Sequence, residues 1–126
     1  MKRYIRSSSF LAKDIAAEIA AAIRNINLDY KVPMVQKVNG EYIPIDLPVQ
    51  TRAQIRERSG SVYVLFSLNV WADLPMKIKT QYTEALGNIV DEVSQAYPDF
   101  DIQYDRYVSE DAFRGSSSDA IVVRKK

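Results

Sequence analysis

Three aspartates, Asp99, Asp101 and Asp105, recur at even spacing, which on an extended strand lines them along one face. Carboxylates so arranged are ligands for a hard cation, magnesium or calcium, which takes oxygen donors. They stand in an acidic stretch: Asp91, Glu92, Asp99, Asp101, Asp105, Glu110 and Asp111 face one basic residue, Arg106, between positions 91 and 111. The spaced oxygens, central glycine and closing glutamate of a calcium loop are missing. The expectation is therefore no metal and no cofactor, with these three aspartates as the candidates should a cation bind. Serine runs at 7–9 and 116–118 offer hydroxyls but no base at motif spacing, so they read as caps and loops rather than nucleophiles. Four glycines scattered at 40, 60, 87 and 115 build no phosphate-cradling loop.

Composition narrows the chemistry further. The chain has 126 residues with no cysteine and no histidine, which removes disulfides, thiolate nucleophiles, the Ser-His-Asp arrangement and the preferred ligands of transition metals. Carboxylates, lysines, serines and tyrosines are left, of which a carboxylate pair could still run glycosidase chemistry, and the expected protein is not an enzyme. Hydrophobic residues at 47% and charged residues at 26% are the proportions of one ordinary globular domain spanning 1–126. No apolar run exceeds five residues, as at 62–66, far short of the roughly 18 that a membrane span needs. Lys13, Asp14 and Glu18 interrupt the early apolar stretch where a signal peptide carries none, so the expectation is a cytoplasmic protein that touches no membrane.

What remains is binding. Seventeen basic and sixteen acidic residues leave a net charge of +1, which sets up no global field for a polyanion. The charge is unevenly spread, however. Residues 1–63 hold ten basic and six acidic side chains, a net +4, and residues 64–126 hold seven and ten, a net −3. Arg52, Arg56 and Arg58, with Lys2, Arg3 and Arg6 if their strands are neighbours, would form a patch of guanidinium forks for carboxylates or phosphates. An acidic half opposed to a basic one equally suits a steered protein partner or a head-to-tail homo-oligomer. Eight tyrosines are the strongest hint, because Tyr4, Tyr30, Tyr42, Tyr107 and Trp71 fall at predicted strand ends, where aromatics anchor interfaces at small entropic cost.

The elements that position these residues follow from periodicity. Residues 2–6 alternate charged and apolar side chains as a short strand does, and Ser7, Ser8 and Ser9 then offer helix caps. Leu11, Ile15, Ile19, Ala22 and Ile26 make the stripe of an amphipathic helix, kept slim by Ala16, Ala17, Ala20 and Ala21. From Tyr30 to Leu47 the period becomes two, and Asn39-Gly40 marks a type I′ hairpin turn. Pro33, Pro44 and Pro48 require that hairpin to lie at a sheet edge or project from the sheet. Residues 48–60 fit either a short helical turn opened by a capping box or, by preference, a strand pairing with 61–65 across Ser59-Gly60. Residues 61–71 read as a deep strand. Asp73 should cap a second helix with Pro75 in its first turn and Pro98 beyond its end; Ile78, Tyr82, Ala85, Ile89, Val93 and Ala96 supply its stripe. Phe100, Ile102 and Tyr104 then alternate with polar residues, 109–119 form a polar loop, and 120–124 close the sheet. The expected fold is α+β, two helices on one face of a mainly antiparallel sheet of about five to six strands, ferredoxin-like or related.

Two resemblances bear on function. The run Gly60, Ser61, Val62, Tyr63, Val64, Leu65, Phe66 resembles the central-strand motif of RNA-recognition domains, whose aromatics stack on bases. It departs from that pattern: Arg58 stands one place early, Ser61 replaces the first aromatic, and Val62 replaces a small residue. Tyr63 and Phe66 are also at odd spacing and so face opposite sides of a strand. On this alternative Tyr63 and Tyr4 would stack on bases, with Arg3 and Arg6 on phosphates. The opening eight residues, Met1 to Ser8, resemble the start of small accessory proteins encoded by phages and mobile elements of Gram-positive bacteria. That resemblance implies a protein that binds and inhibits or redirects a host protein, a CRISPR effector among them. The leading expectation is thus a non-enzymatic protein-binding module that uses Asn39, Tyr42, Tyr30, Arg52, Arg56 and Arg58. Nucleic-acid binding is the alternative, and a metal-dependent hydrolase built on Asp99, Asp101 and Asp105 the second.

Overall fold

The computed structural model describes residues 8–108 and 117–126. Helix α1 (Ser8–Arg24) opens within the serine run and is followed by a two-stranded antiparallel hairpin, β1 (Lys31–Val38) and β2 (Glu41–Pro48). A second hairpin, β3 (Thr51–Arg58) and β4 (Ser61–Leu68), leads into α2 (Met76–Ala96) and then β5 (Phe100–Val108) and β6 (Ser117–Lys125). The last four strands make one sheet in the order β3-β4-β6-β5, every pair antiparallel, while β1 and β2 stand apart as their own sheet. The expected α+β arrangement holds, with the six strands divided four and two. The predicted strand over residues 2–6 lies outside the described residues.

Burial of one sheet face under both helices fixes this layout. Ile15, Ile19 and Ile23 of α1 are wholly buried, with Ala12, Ala16 and Ala20 between them, over Val62, Val64, Ile121 and Val123. The small alanines let the helix axis approach the sheet closely. The buried line passes through Ile23, one residue beyond the expected Ala22, because both flanks of the stripe meet the sheet. On α2 the buried residues are Ile78, Tyr82, Leu86 and Val90. The predicted stripe is rotated by about one position: Ala85, Ile89 and Val93 are half-buried at its side and Ala96 is exposed. The Tyr97 hydroxyl donates to the Glu18 carboxylate and ties the end of α2 to α1.

The punctuation is mostly as expected. Asn39 and Gly40 both have positive φ, 51° and 84°, and Ser59 and Gly60 repeat the pattern at 52° and 81°, the geometry of type I′ turns. Residues 51–58 are strand, not helix. The start of α2 differs from expectation: Pro75, not Asp73, occupies the N-cap position, and no side chain bonds the first turn. Its fixed φ, −67° here, is already that of a helix, so a proline serves where no hydroxyl or carboxylate does. Strand β4 ends at Leu68, short of Trp71, because Asn69 turns the chain (below). Strand β6 is interior, between β4 and β5, rather than a closing edge, which explains its four consecutive buried residues 120–123. No helix among the described residues is long and apolar enough to cross a membrane.

Close approach of α1 generates a test. Ala20→Leu should destabilise the fold by about 1–3 kcal/mol in denaturant unfolding through overpacking, whereas Ala21→Leu, on the exposed side of the same helix, should stay within about 0.5 kcal/mol.

Candidate functional site

The hairpin β1–β2 projects beyond the four-stranded sheet and carries large apolar side chains into solvent: Tyr42 is 71% exposed, Val35 64% and Ile43 41%. Its register pairs Met34 with Ile45, Gln36 with Ile43 and Val38 with Glu41. One face is therefore Met34, Val38, Ile43 and Ile45 around Gln36, and the other holds Val35, Tyr42, Pro33 and Pro44. A two-residue turn makes Val38–Glu41 a hydrogen-bonded pair, and such pairs alternate along the ladder. Pro33, Pro44 and Pro48, opposite Asp46, Val35 and Lys31, all fall on the other set, where the backbone nitrogen points away from the partner strand. None interrupts the ladder, and together they remove outward donors from both edges, which blocks the addition of a further strand.

The root of the hairpin is held by backbone bonds and one side chain. Asn69 accepts from the Gln50 N–H at 2.8 Å through Oδ1 and donates from Nδ2 to the Pro48 carbonyl at 3.0 Å. Its own N–H bonds the Gln50 carbonyl, and the Val49 N–H bonds the Tyr30 carbonyl. Thr51 donates from Oγ1 to the Arg24 carbonyl at 3.3 Å, at the end of α1. Buried Leu28 and Val32 complete the anchor. Nothing in the local pattern around Asn69 signals this role; it emerges when β4 passes the β2–β3 junction.

The sheet face away from the helices carries the arginines. Residues of one parity, Arg52, Gln54, Arg56 and Arg58 on β3 and Ser61, Tyr63 and Leu65 on β4, share it with Arg124 and with Asp101, Asp105 and Tyr107. The Arg58 guanidinium lies 4.1 Å from the Tyr107 ring centre, and Tyr107 meets Tyr63 edge-on at 5.2 Å. Arg124 donates to Ser61 Oγ at 2.9 Å and Tyr63 Oη at 3.4 Å and pairs with Asp105 at 3.7 Å. Tyr63 and Phe66 do face opposite sides: Phe66 packs toward α2, 6.4 Å from the Tyr82 ring.

Of the residues predicted to contact a partner, Asn39 and Tyr42 sit together at the hairpin tip, while Tyr30 is half-buried against the core at its root. Arg52 begins β3 beside that root. Arg58 ends the same eight-residue strand, roughly 20 Å away at about 3.3 Å per residue, so the three arginines and the hairpin tip are not one surface. Tyr4, Arg3 and Arg6, like Lys2, lie outside the described residues. Asp99 immediately precedes β5, and its carbonyl accepts from the Lys126 N–H. Asp101 accepts from Gln103 at 2.8 Å, and Asp105 accepts from the Arg106 N–H at 2.7 Å as well as pairing with Arg124. Among the described residues no three acidic side chains cluster as a metal site.

A concave feature that no local sequence pattern signals lies on the helix side of the sheet. A groove of about 680 Å³ opens between the first half of α2 and strands β4, β5 and β6, walled by Phe66, Leu68, Trp71, Tyr82, Leu86 and Tyr104. At its rim Arg106 bonds Asp119 and Ser117, each at 3.0 Å. Tyr82 is 4% exposed and its hydroxyl has no hydrogen-bond partner among the described residues. Burial pushes the pKa of that hydroxyl well above the usual tyrosine range, with the Asp119 carboxylate and Tyr104 adding to the push. Tyr104 is raised too, by partial burial and then by Asp91.

No protein-family model, curated protein or solved structure matches this chain. Its chemistry therefore has to be argued from its own residues.

The orphan hydroxyl sets a measurable expectation. A group whose folded-state pKa is raised adds stability below its unfolded value, about 10 for tyrosine, and that stability is lost as pH rises beyond it. Tyr82→Phe should hold or raise the unfolding temperature at neutral pH and flatten the loss of stability above pH about 10. A clear drop at neutral pH would show that the hydroxyl is bonded after all.

Proposed function

We propose that this protein is a non-enzymatic interaction module that docks on another protein through the β1–β2 hairpin. One observation carries the reading: a projecting hairpin exposes Val35, Tyr42 and Ile43 where nothing among the described residues covers them. Isolated two-stranded hairpins are marginal in water, and large exposed apolar surface marks interaction sites. The prolines argue against a partner that adds a strand to either edge, so contact is made by side chains on the faces. Lys31, Lys37, Glu41 and Asp46 balance the hairpin's charge, which favours a protein surface over anionic lipid headgroups, for which basic residues would be in excess. Inhibition of a host protein such as a CRISPR effector, the role implied by the likeness of residues 1–8 to phage accessory proteins, is one form this docking would take.

A second reading, binding of single-stranded nucleic acid, draws on the other sheet face, where Arg52, Arg56 and Arg58 flank Tyr63 and Tyr107. Stacked rings beside guanidinium groups are what such ligands use. Arg58 and Arg124 are already engaged with Tyr107 and with Asp105, which leaves Arg52 and Arg56 for phosphate. Protein docking is preferred for that reason.

Affinity capture with the immobilised protein separates the two. Tyr42→Ala combined with Ile43→Ser should lose at least tenfold of a specifically retained protein, with unfolding unchanged because both side chains are exposed. Retention by the double variant equal to that by the parent would sink the hairpin reading. Salt-dependent binding of labelled single-stranded RNA, abolished by Arg52→Ala with Arg56→Ala, would install the second reading instead.

A further inference from the structure

The groove beside α2 has features that core packing does not require. Its volume, about 680 Å³, falls within the roughly 300–1,000 Å³ of small-molecule sites. Four rings run through it in sequence: Trp71 to Tyr82 at 6.1 Å, Tyr82 to Phe66 at 6.4 Å and Phe66 to Tyr104 at 6.4 Å, all tilted or edge-on. Trp71 at 47% exposure and Tyr104 at 51% present ring surface to solvent at its mouth. Deep in the wall, the Tyr82 O–H is a buried donor without an acceptor among the described residues, a rare and costly state. Asp119 at the rim spends Oδ1 on Arg106, and no bond engages Oδ2 among the described residues.

We propose that this groove binds a small, planar, uncharged heterocycle carrying a hydrogen-bond acceptor and donor side by side, the edge pattern of an aminopurine or aminopyrimidine base. The acceptor meets the Tyr82 hydroxyl, the donor meets the free oxygen of Asp119, and the ring lies against Trp71 or Tyr104, where stacking is favourable for any base. Charge decides against other ligands. An anion would face Asp119 with Arg106 already neutralised, and a cation would meet Lys79, whose ammonium lies 5.1 Å from the Trp71 ring centre. The proposal is independent of the hairpin, which lies on a different part of the molecule and uses none of these residues.

Trp71 is the only tryptophan, so its indole N–H signal in a proton–nitrogen spectrum is a reporter placed in the groove. Adenine and cytosine are titrated into the intact protein, with benzoate as a planar anion and indole as a planar molecule lacking an acceptor. At least one base should shift the Trp71 signal with half-saturation at or below about 1 mM, and both controls should be at least tenfold weaker. Tyr82→Phe should weaken base binding roughly tenfold while unfolding at the same temperature or higher. Should that variant fail to fold, Tyr104→Ala and Asp119→Ala, both at exposed positions, serve in its place, each with the same expected loss. The proposal is overturned if neither base shifts Trp71 up to about 1 mM, if benzoate or indole binds as well as the bases, or if the folded variants bind like the parent.

Discussion

The contact between α1 and the middle of the sheet is the constraint on which the other parts depend. Three isoleucines and three alanines of one helix face close on β4 and β6, and the alanines set how near the helix comes. Once that distance is set, α2 has only the remaining width of the sheet, over β5, in which to lie. Its first half then stands off β4 and β6 far enough to leave the aromatic groove, while its last turn is drawn to α1 by Tyr97 and Glu18. The groove and the tight helix–sheet contact are two results of one packing arrangement. Because the sheet is interior at β4 and β6, the helices can cover its middle without reaching its ends, and the ends are where polar and aromatic side chains collect.

The sheet also separates two kinds of surface. Toward the helices its even and odd positions resolve into aliphatic side chains with the rings of Phe66 and Tyr104 at one end. Away from them lies a layer in which arginines are matched to rings and carboxylates, as when Arg124 reaches Ser61, Tyr63 and Asp105 at once. Such matching fixes guanidinium groups at little further cost in side-chain entropy and keeps Tyr63 and Tyr107 from moving freely. Asp105 takes part in that matching through Arg124.

Local pattern made most elements legible. The Asn39-Gly40 turn, the alternation on either side of it, the strand assignment of residues 51–58 and the extents of both helices all rest on signals confined to a few residues. What sequence left unread depends on which elements become neighbours. The hairpin's separation from the main sheet was one of two options permitted by the prolines, and only the register shows that all three fall on positions with outward nitrogens. Asn69 looks like an ordinary loop residue until it is placed beside Pro48 and Gln50. Tyr82 sits in a helical stripe and reads as core, which it is; that its hydroxyl lacks a partner depends on Phe66, Trp71 and Tyr104 arriving from other elements. The arginines read as a cluster because they are close in sequence, yet an extended strand sets Arg52 roughly 20 Å from Arg58 at about 3.3 Å per residue.

The junction between the two sheets has a mechanical side. Only Val49 and Gln50 separate β2 from β3, and the eight-residue arms of the hairpin reach about 26 Å from that point at about 3.3 Å per residue. A rocking of about 10° at the root therefore sweeps the tip through about 4–5 Å over that reach. The bonds that resist the motion are few and clustered on Asn69 and Tyr30, whereas the arm itself is stiffened by an unbroken ladder. The hairpin has the geometry of a lever with a short fulcrum: a load applied at Tyr42 would act, multiplied by the arm's length, at the root, where Thr51 bonds the end of α1.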